Sequence, residues 1–590
     1  VSSPYAVVAI AVVTVVTVLI GSRGLRRSRT TSDFYVASRT VSPIWNASAI
    51  SGEYLSAASF LGVAGLVMAY GADMLWYPVG YTAGYLVLLL LVAAPLRRSG
   101  AYTLPDFAEA RLGSPVVRRM SSVLVIVVGW LYLVPQLRGA SLTLHVITGA
   151  PPWLGALIIV VVVVASVSVG GMRSITAVQA FQYCVKITAI TIPLLFIGFV
   201  WSSRGAPPVT AHDTPEFAEA TTVRFDTATR VDVRVPVTVA ARGVVDGRRV
   251  DAPLPLAAGR HTVADETRLG FPAGSAAPVM AGSAIAGNHA WASPLNGGGG
   301  HGHPLYATYS LVIATFLGTM GLPHILVRFY TNPDGRAARR TALAVLALLG
   351  GFYLLPTAYG ALGRLYAPEL LATGDSDAIV LLLPGHLVPG TAGRLLGALV
   401  TAGAFAAFLS TSSGLTMSVA GVLAQDMLGG RSGGRMRRFH PFRIGTVVAI
   451  CVPFAVALST GGVPIARAVG LPFAVAASSF CPLLLLGIWW RGLTSAGAAA
   501  GLVAGGGLAT AAVIVSTLAP ALDGWPRELL AEPSALTVPI AFLVMFVVSR
   551  LTRGRLRPDI ASVMVRMHAP ESVRPTGPDT GDTPRANRWS

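Results

Sequence analysis

The sequence predicts an all-α polytopic membrane protein of about thirteen transmembrane helices, carrying one small β-rich insertion. Three observations predict it. Hydrophobic residues make up 53% of the 590 and charged residues only 12%, with a mean hydropathy of +0.65. Apolar runs recur along the chain, as at 5–20, 84–96, 153–169 and 537–548, a pattern that water-filled surroundings would not tolerate. Arginines then collect in alternate connecting loops, so the net charge of +18 is a topology signal and not a nucleic-acid surface.

Taken in order, the spans fall at about 4–21, 44–70, 74–96, 118–145, 152–170, 174–201, 305–329, 338–363, 391–426, 441–460, 463–489, 492–518 and 535–551. The first lacks a preceding basic region and is followed by Arg23, Arg26, Arg27 and Arg29, so it reads as an uncleaved anchor with its N-terminus outside. Further arginines follow at Arg97 and Arg98, at Arg118 and Arg119, at Arg173, at 336–340, at 431–443, at Arg491 and from Arg550 on. The loops 71–73 and 146–151 carry none, which puts the C-terminal tail in the cytoplasm. Cys184, Cys451 and Cys481 all lie in or beside apolar spans, so neither a disulfide framework nor a metal cluster is indicated.

Two segments do not belong to the membrane. Residues 202–304 form an external insertion, in which Val231, Val233, Val235, Val237 and Val239 alternate before Asp246-Gly247, a hairpin signal. The insertion ends in a Gly297–Gly300 linker and His301-Gly-His303, a pair read as solvated. Residues 553–590 read as a cytoplasmic tail rich in Arg, Pro and Thr, partly disordered and too short for a catalytic domain.

With the first span set aside, the next ten divide into 44–201 and 305–489. Five is an odd number of crossings, so the second set starts from the opposite side, which permits an inverted repeat; residues 490–552 are then peripheral. Such repeats place their site where interrupted helices meet at mid-membrane. Both first helices are interruptible. One contains Gly52, Glu53 and Ser56; the other packs Gly318, Gly321 and Pro323 into six residues.

The stretch 403–426 adds a run of hydroxyls, Ser410 to Ser413, inside an apolar helix. Hydroxyls in lipid need partners, and a self-satisfied serine run would be unremarkable beside an unbroken helix. Facing a break, it offers a hard-cation site: the carbonyls of Gly52, Leu55 and Ala407 with the hydroxyls of Ser410 and Thr411 give five oxygens for one Na⁺. Half-helix N-termini suit a carboxylate instead.

The chain resembles the sodium/solute symporter family, and within it the acetate/monocarboxylate permease branch. The resemblance rests on Asp33-Phe-Tyr-Val-Ala, Gly52-Glu-Tyr-Leu-Ser-Ala-Ala-Ser-Phe-Leu-Gly62, Tyr102-Thr-Leu-Pro-Asp106, Gly170-Gly-Met-Arg-Ser174, Leu317-Gly-Thr-Met-Gly-Leu-Pro-His324 and Ala406 through Asp426. It implies a leucine-transporter-like fold of five-plus-five inverted helices and Na⁺-coupled uptake by alternating access. Carried over by position, it places Na⁺ on Gly52, Leu55, Ala407, Ser410 and Thr411. Two departures stand out: Gln179 replaces the aspartate of sugar- and proline-type members, and Glu53 stands where aspartate is more usual.

The substrate expectation is a small monocarboxylate of the acetate, pyruvate or propionate class, met by Tyr54, Ser56, Gly318, Thr319, Gly321 and Leu322. Lone charges inside a membrane are functional candidates. Glu53 and Lys186, the single lysine of the chain, sit at comparable depth, which predicts an internal ion pair. Lys186 titrating to couple H⁺ is the alternative. Arg138 draws anions inward or snorkels outward. A sensor of an extracellular solute and a passive anion channel are rival classes. An enzyme is not expected, because no nucleophile–base pair, metal cluster or nucleotide loop appears.

Overall fold

A computed structural model describes residues 4–23, 41–282, 284–295, 302–427, 439–459, 465–518, 522 and 524–570. The Gly297–Gly300 linker, His301, the arginines of 431–438 and the tail beyond 570 lie outside the described residues. Eleven helices there are long and apolar enough to cross a membrane, and 152–168 is a shorter apolar helix. One of the eleven, Ser59–Arg98, turns at Gly71 (φ 69°) and so contains parts of two expected spans. The helical run Pro152–Ser203 is unbroken. Among the described residues, each of the thirteen stretches expected from the sequence is mainly helical.

Local chemistry sets many helix starts. Pro43 opens the helix Pro43–Tyr54, where its missing N–H costs nothing. Thr103 and Asp106 form a reciprocal capping box on Leu104–Leu112, and Asp334 caps Gly335–Tyr366, each satisfying otherwise orphaned amides.

Both anticipated interruptions are present. The first broken helix ends at Tyr54, leaves helical geometry at Leu55 (φ −72°, ψ 84°), and resumes through a π-turn, Ala58–Gly62, into Val63–Tyr70. The second runs Pro304–Thr319, opens over 320–322, and restarts at Pro323–Phe329. Its glycines face a neighbour: a Cβ at Gly318 would lie 2.5 Å from Phe473 O, and one at Gly321 2.7 Å from Ala476 O. Gly318 and Gly321 therefore let this helix close on Ile465–Trp489. The serine-bearing helix Gly390–Val422 is buried along nearly its whole inner length and packs most extensively on Pro152–Ser203.

The insertion is a seven-stranded antiparallel sheet: β1 (Thr221–Phe225), β2 (Thr229–Val233), β3 (Val237–Val245), β4 (Arg248–Leu256), β5 (Gly259–Val263), β6 (Thr267–Phe271) and β7 (Val279–Met280). The strand order is β1-β6-β3-β5-β2-β7, with β4 on β3. Asp246 (φ 50°) and Gly247 (φ 76°) turn β3 into β4, the left-handed pair that a two-residue hairpin requires. Of the alternating valines, Val231, Val233 and Val239 are inward residues of β2 and β3, Val237 is half-buried at the start of β3, and Val235 is exposed in the bend that separates the two strands. A strap, 284–295, ties the sheet to the helical body. Ile285 N donates to Ala69 O (2.8 Å), Trp291 Nε1 to Val67 O (2.6 Å), and Arg364 reaches Asn288 Oδ1 (2.8 Å) and Ile285 O (2.7 Å).

Candidate functional site

The first break exposes carbonyls that a continuous helix would have consumed. Gly52 sits where Pro43–Tyr54 presses on the Lys186 helix; a Cβ there would lie 2.3 Å from Gln179 O. That contact brings Lys186 to the gap. Its ammonium donates to Gly52 O, to Leu55 O (2.7 Å) and to Ser410 Oγ. Ser410 Oγ in turn reaches Gly52 O (2.6 Å) and Ala407 O (3.1 Å). Four of the five oxygens expected around Na⁺ are thus gathered, with Lys186 among them. Thr411 faces elsewhere, donating to Glu53 O at 2.6 Å.

The expected Glu53–Lys186 ion pair is not what forms. Glu53 Oε2 pairs with Arg328 Nε at 2.8 Å, both side chains essentially excluded from solvent. The same guanidinium also reaches Thr176 Oγ1 (2.9 Å) and Gln179 Oε1, and Gln179 Nε2 donates to Ser410 O (2.9 Å). The reason is geometric. A planar fork serves several acceptors at once, while the compact ammonium is met by the freed carbonyls. Glu53 gains its extra length over aspartate at Gly414, where a Cβ would fall 1.8 Å from Oε1. The cluster thus holds two cationic groups, Arg328 and Lys186, against the carboxylate of Glu53.

Sequence reasoning missed Arg328. It lies in the last turn of Pro323–Phe329, near the loop arginines 336–340, and looked like one of them. Its wholly apolar neighbours, Ile325 to Val327, were the signal that it lies inside. Arg138, by contrast, is half-buried in the field of Asp377 and stands outside the cluster.

The second break borders an aromatic cluster. Tyr54 packs edge-on to Tyr81, Tyr85 and Phe473; Tyr132 lies 5.3 Å from His324 and 5.9 Å from Phe473 between ring centroids. Tyr54 OH meets Thr319 Oγ1 at 2.9 Å, and Ser56 Oγ accepts from Tyr132 OH at 3.5 Å. Tyr54, Ser56 and Thr319 therefore reach one region. Leu322 is buried beside it as the residue before Pro323. The hydroxyls of Tyr81 and Tyr85 and both nitrogens of His324 have no partner. Buried polar atoms are nearly always paired, so these four are candidate contacts for a polar ligand. Among the described residues, no group of three or more His, Cys, Asp or Glu could hold a metal ion.

Comparison with known proteins bears on this arrangement directly. The family model described as the sodium:solute symporter family matches residues 34–241 and 291–505, more than half of the chain. The symporter YwcA of Bacillus subtilis, itself uncharacterized, is 28% identical over 539 residues, covering 89% of this chain and 90% of that one. A monocarboxylic acid transporter of Corynebacterium glutamicum is 27% identical over 577 residues, covering 93% and 92% respectively. A solved structure of a Na⁺-coupled sialic acid symporter, substrate-bound and outward-open, superposes with a TM-score of 0.60 at 12% identity, covering 93% of this chain and 98% of that one. At that identity the likeness shows the fold: leucine-transporter-like, five helices plus five inverted.

Proposed function

This chain belongs to the sodium:solute symporter family, and on that premise we propose that it imports a small monocarboxylate by alternating access. It is a multi-pass membrane transporter and not an enzyme. The observation that carries an anionic substrate is the charge of the buried cluster, Arg328 and Lys186 against Glu53. One carboxylate entering beside it brings the count to balance, and unbalanced charge inside a membrane is costly. The aromatic cluster beside the second break supplies hydrogen-bond donors to an acid of acetate, pyruvate or propionate size. Tyr54, Ser56, Thr319 and the 318–322 opening are the contacts, joined by Tyr81, Tyr85 and His324. The name of the C. glutamicum relative agrees with this class.

The bilayer is the bacterial cytoplasmic membrane, with the N-terminus and the sheet insertion outside and the tail inside. The repeats are 44–201 and 305–489. The coupling cation expected from the family is Na⁺, at Gly52, Leu55, Ala407, Ser410 and Thr411. Coupling to a proton gradient is a second reading, favoured by the ammonium of Lys186 lying among those oxygens. Radiolabelled acetate and pyruvate uptake into proteoliposomes, with Na⁺ and pH gradients imposed separately, tests both. Accumulation against the acid's own gradient is expected; simple equilibration under either gradient would mark a passive pathway and overturn the proposal.

A further inference from the structure

We propose that Lys186 is the resident cation of the site at the first break, its ammonium standing where a coupling Na⁺ would stand, so that this carrier binds no Na⁺ there. The inference deepens the reading of a carboxylate carrier and relies on it only for the uptake measurement.

Three observations lead to it. Gly52 O, Leu55 O and Ser410 Oγ each accept from Lys186 Nζ. A metal ion centred on those oxygens and the ammonium nitrogen would fill the same space, so the two exclude one another. Next, the ammonium has little reason to leave. Both Lys186 and its three partners are fully buried, and the nearby carboxylate of Glu53 is already held by Arg328 through Oε2, with Oε1 turned to Gly414. Withdrawing Lys186 would leave a charged group without acceptors in a medium that penalises it heavily. Last, the surroundings are built for a single positive charge. Gln179 is a neutral donor to Ser410 O, so the site has no second carboxylate with which to hold an added metal cation.

A tethered ammonium differs from a dissolved ion in one respect that can be measured: its occupancy does not depend on salt composition. The purified wild-type protein is compared in NaCl and in choline chloride at equal ionic strength, by thermal unfolding and by ²²Na⁺ binding. No Na⁺-specific shift is expected, since only a ligand that binds the folded state raises its melting point. Lys186→Ala, which opens the site, is expected to gain both ²²Na⁺ binding and a Na⁺-specific rise. Uptake of acetate or pyruvate by wild type is expected to agree within about twofold between the two salts.

Na⁺-specific stabilisation of wild type, or an uptake loss of about tenfold or more in choline, overturns the inference. A folded Lys186→Ala protein that binds no ²²Na⁺ overturns the equivalence of ammonium and ion. Should that variant fail to fold, the wild-type measurements decide alone. If neither acid is taken up in either salt, the carboxylate reading fails, while the binding measurement still judges the site.

Discussion

The two interrupted helices are alike in plan and opposite in how their gaps are finished. At the first, the freed backbone is met from within: the carbonyls of Gly52 and Leu55 both accept from Lys186, and Arg328 crosses from the second broken helix to pair with Glu53 Oε2, while Ser51 Oγ, Glu53 Oε1 and Ser412 Oγ stay unmatched. At the second, the polar atoms nearby are left over, namely both nitrogens of His324 and the hydroxyls of Tyr81 and Tyr85. The difference lies in the backbone: the first gap's carbonyls are taken up by a tethered ammonium, while the second is bordered by side-chain groups that a polar cargo would satisfy.

The comparison can be broken most forcefully at Arg328. Arg328→Ala strands a buried carboxylate, and a loss of about 3–5 kcal/mol is expected, read as a fall in the detergent-solubilised melting curve. Glu53→Gln combined with Arg328→Met should recover part of it. A single variant as stable as wild type would mean that the ion pair does not hold the first gap together. Gly414→Ala comes next. A methyl placed 1.8 Å from Glu53 Oε1 must displace that side chain, at about 1–3 kcal/mol, by the same measurement.

Tyr85→Phe sharpens the other side. Its hydroxyl has no partner, so unfolding should change by no more than about 0.5 kcal/mol. The apparent affinity for the transported acid should weaken by about 1 kcal/mol, some fivefold. Unaltered affinity would remove the tyrosine from the cargo's surroundings.

The smallest effect lies in the sheet, far from either gap. Asp246 accepts from Thr262 N (2.7 Å) and faces His261 Nδ1 (2.7 Å). Partial burial pulls the imidazole pKa down, but the bonds to Asp246 and to the Ala257 carbonyl outweigh it and leave the value raised. Burial likewise pushes the carboxyl up, yet His261 and Thr262 bring it below its usual value. The histidine's contribution is whole below the ordinary imidazole range and is lost as pH rises through the raised value. The aspartate's is whole above the ordinary carboxylate range and is lost as pH falls through the depressed one. Amide exchange at Thr262 should therefore be slowest between about pH 4 and 6.5 after correction for intrinsic rates. Asp246→Asn should flatten that dependence.

Much of this architecture was legible because lipid makes strict demands. Hydropathy marks the spans, and Gly or Pro at mid-membrane marks the gaps, since a backbone released there has to be used. The hairpin at Asp246-Gly247 was readable for a similar reason, as left-handed turns admit few residues. What could not be read was which buried charge meets which. Equal depth put Glu53 and Lys186 at one level, but depth says nothing about the direction in which a side chain leaves its helix. Arg328 escaped for a different reason. A basic residue near a helix end resembles a topology arginine until the packing of Met172, Thr176 and Gln179 around it is known.

The strap over the outer end of Val63–Tyr70 has a mechanical consequence. Trp291 grips the carbonyls of Val67 and Met68, Leu295 N is fastened to Asp73 (2.5 Å), and Gly71 leaves no room for slack beneath the indole. The half-helix is thereby tethered through the strap to the seven-stranded sheet, so a fluorophore on the β3–β4 hairpin would report any tilt of it from well outside the helical body.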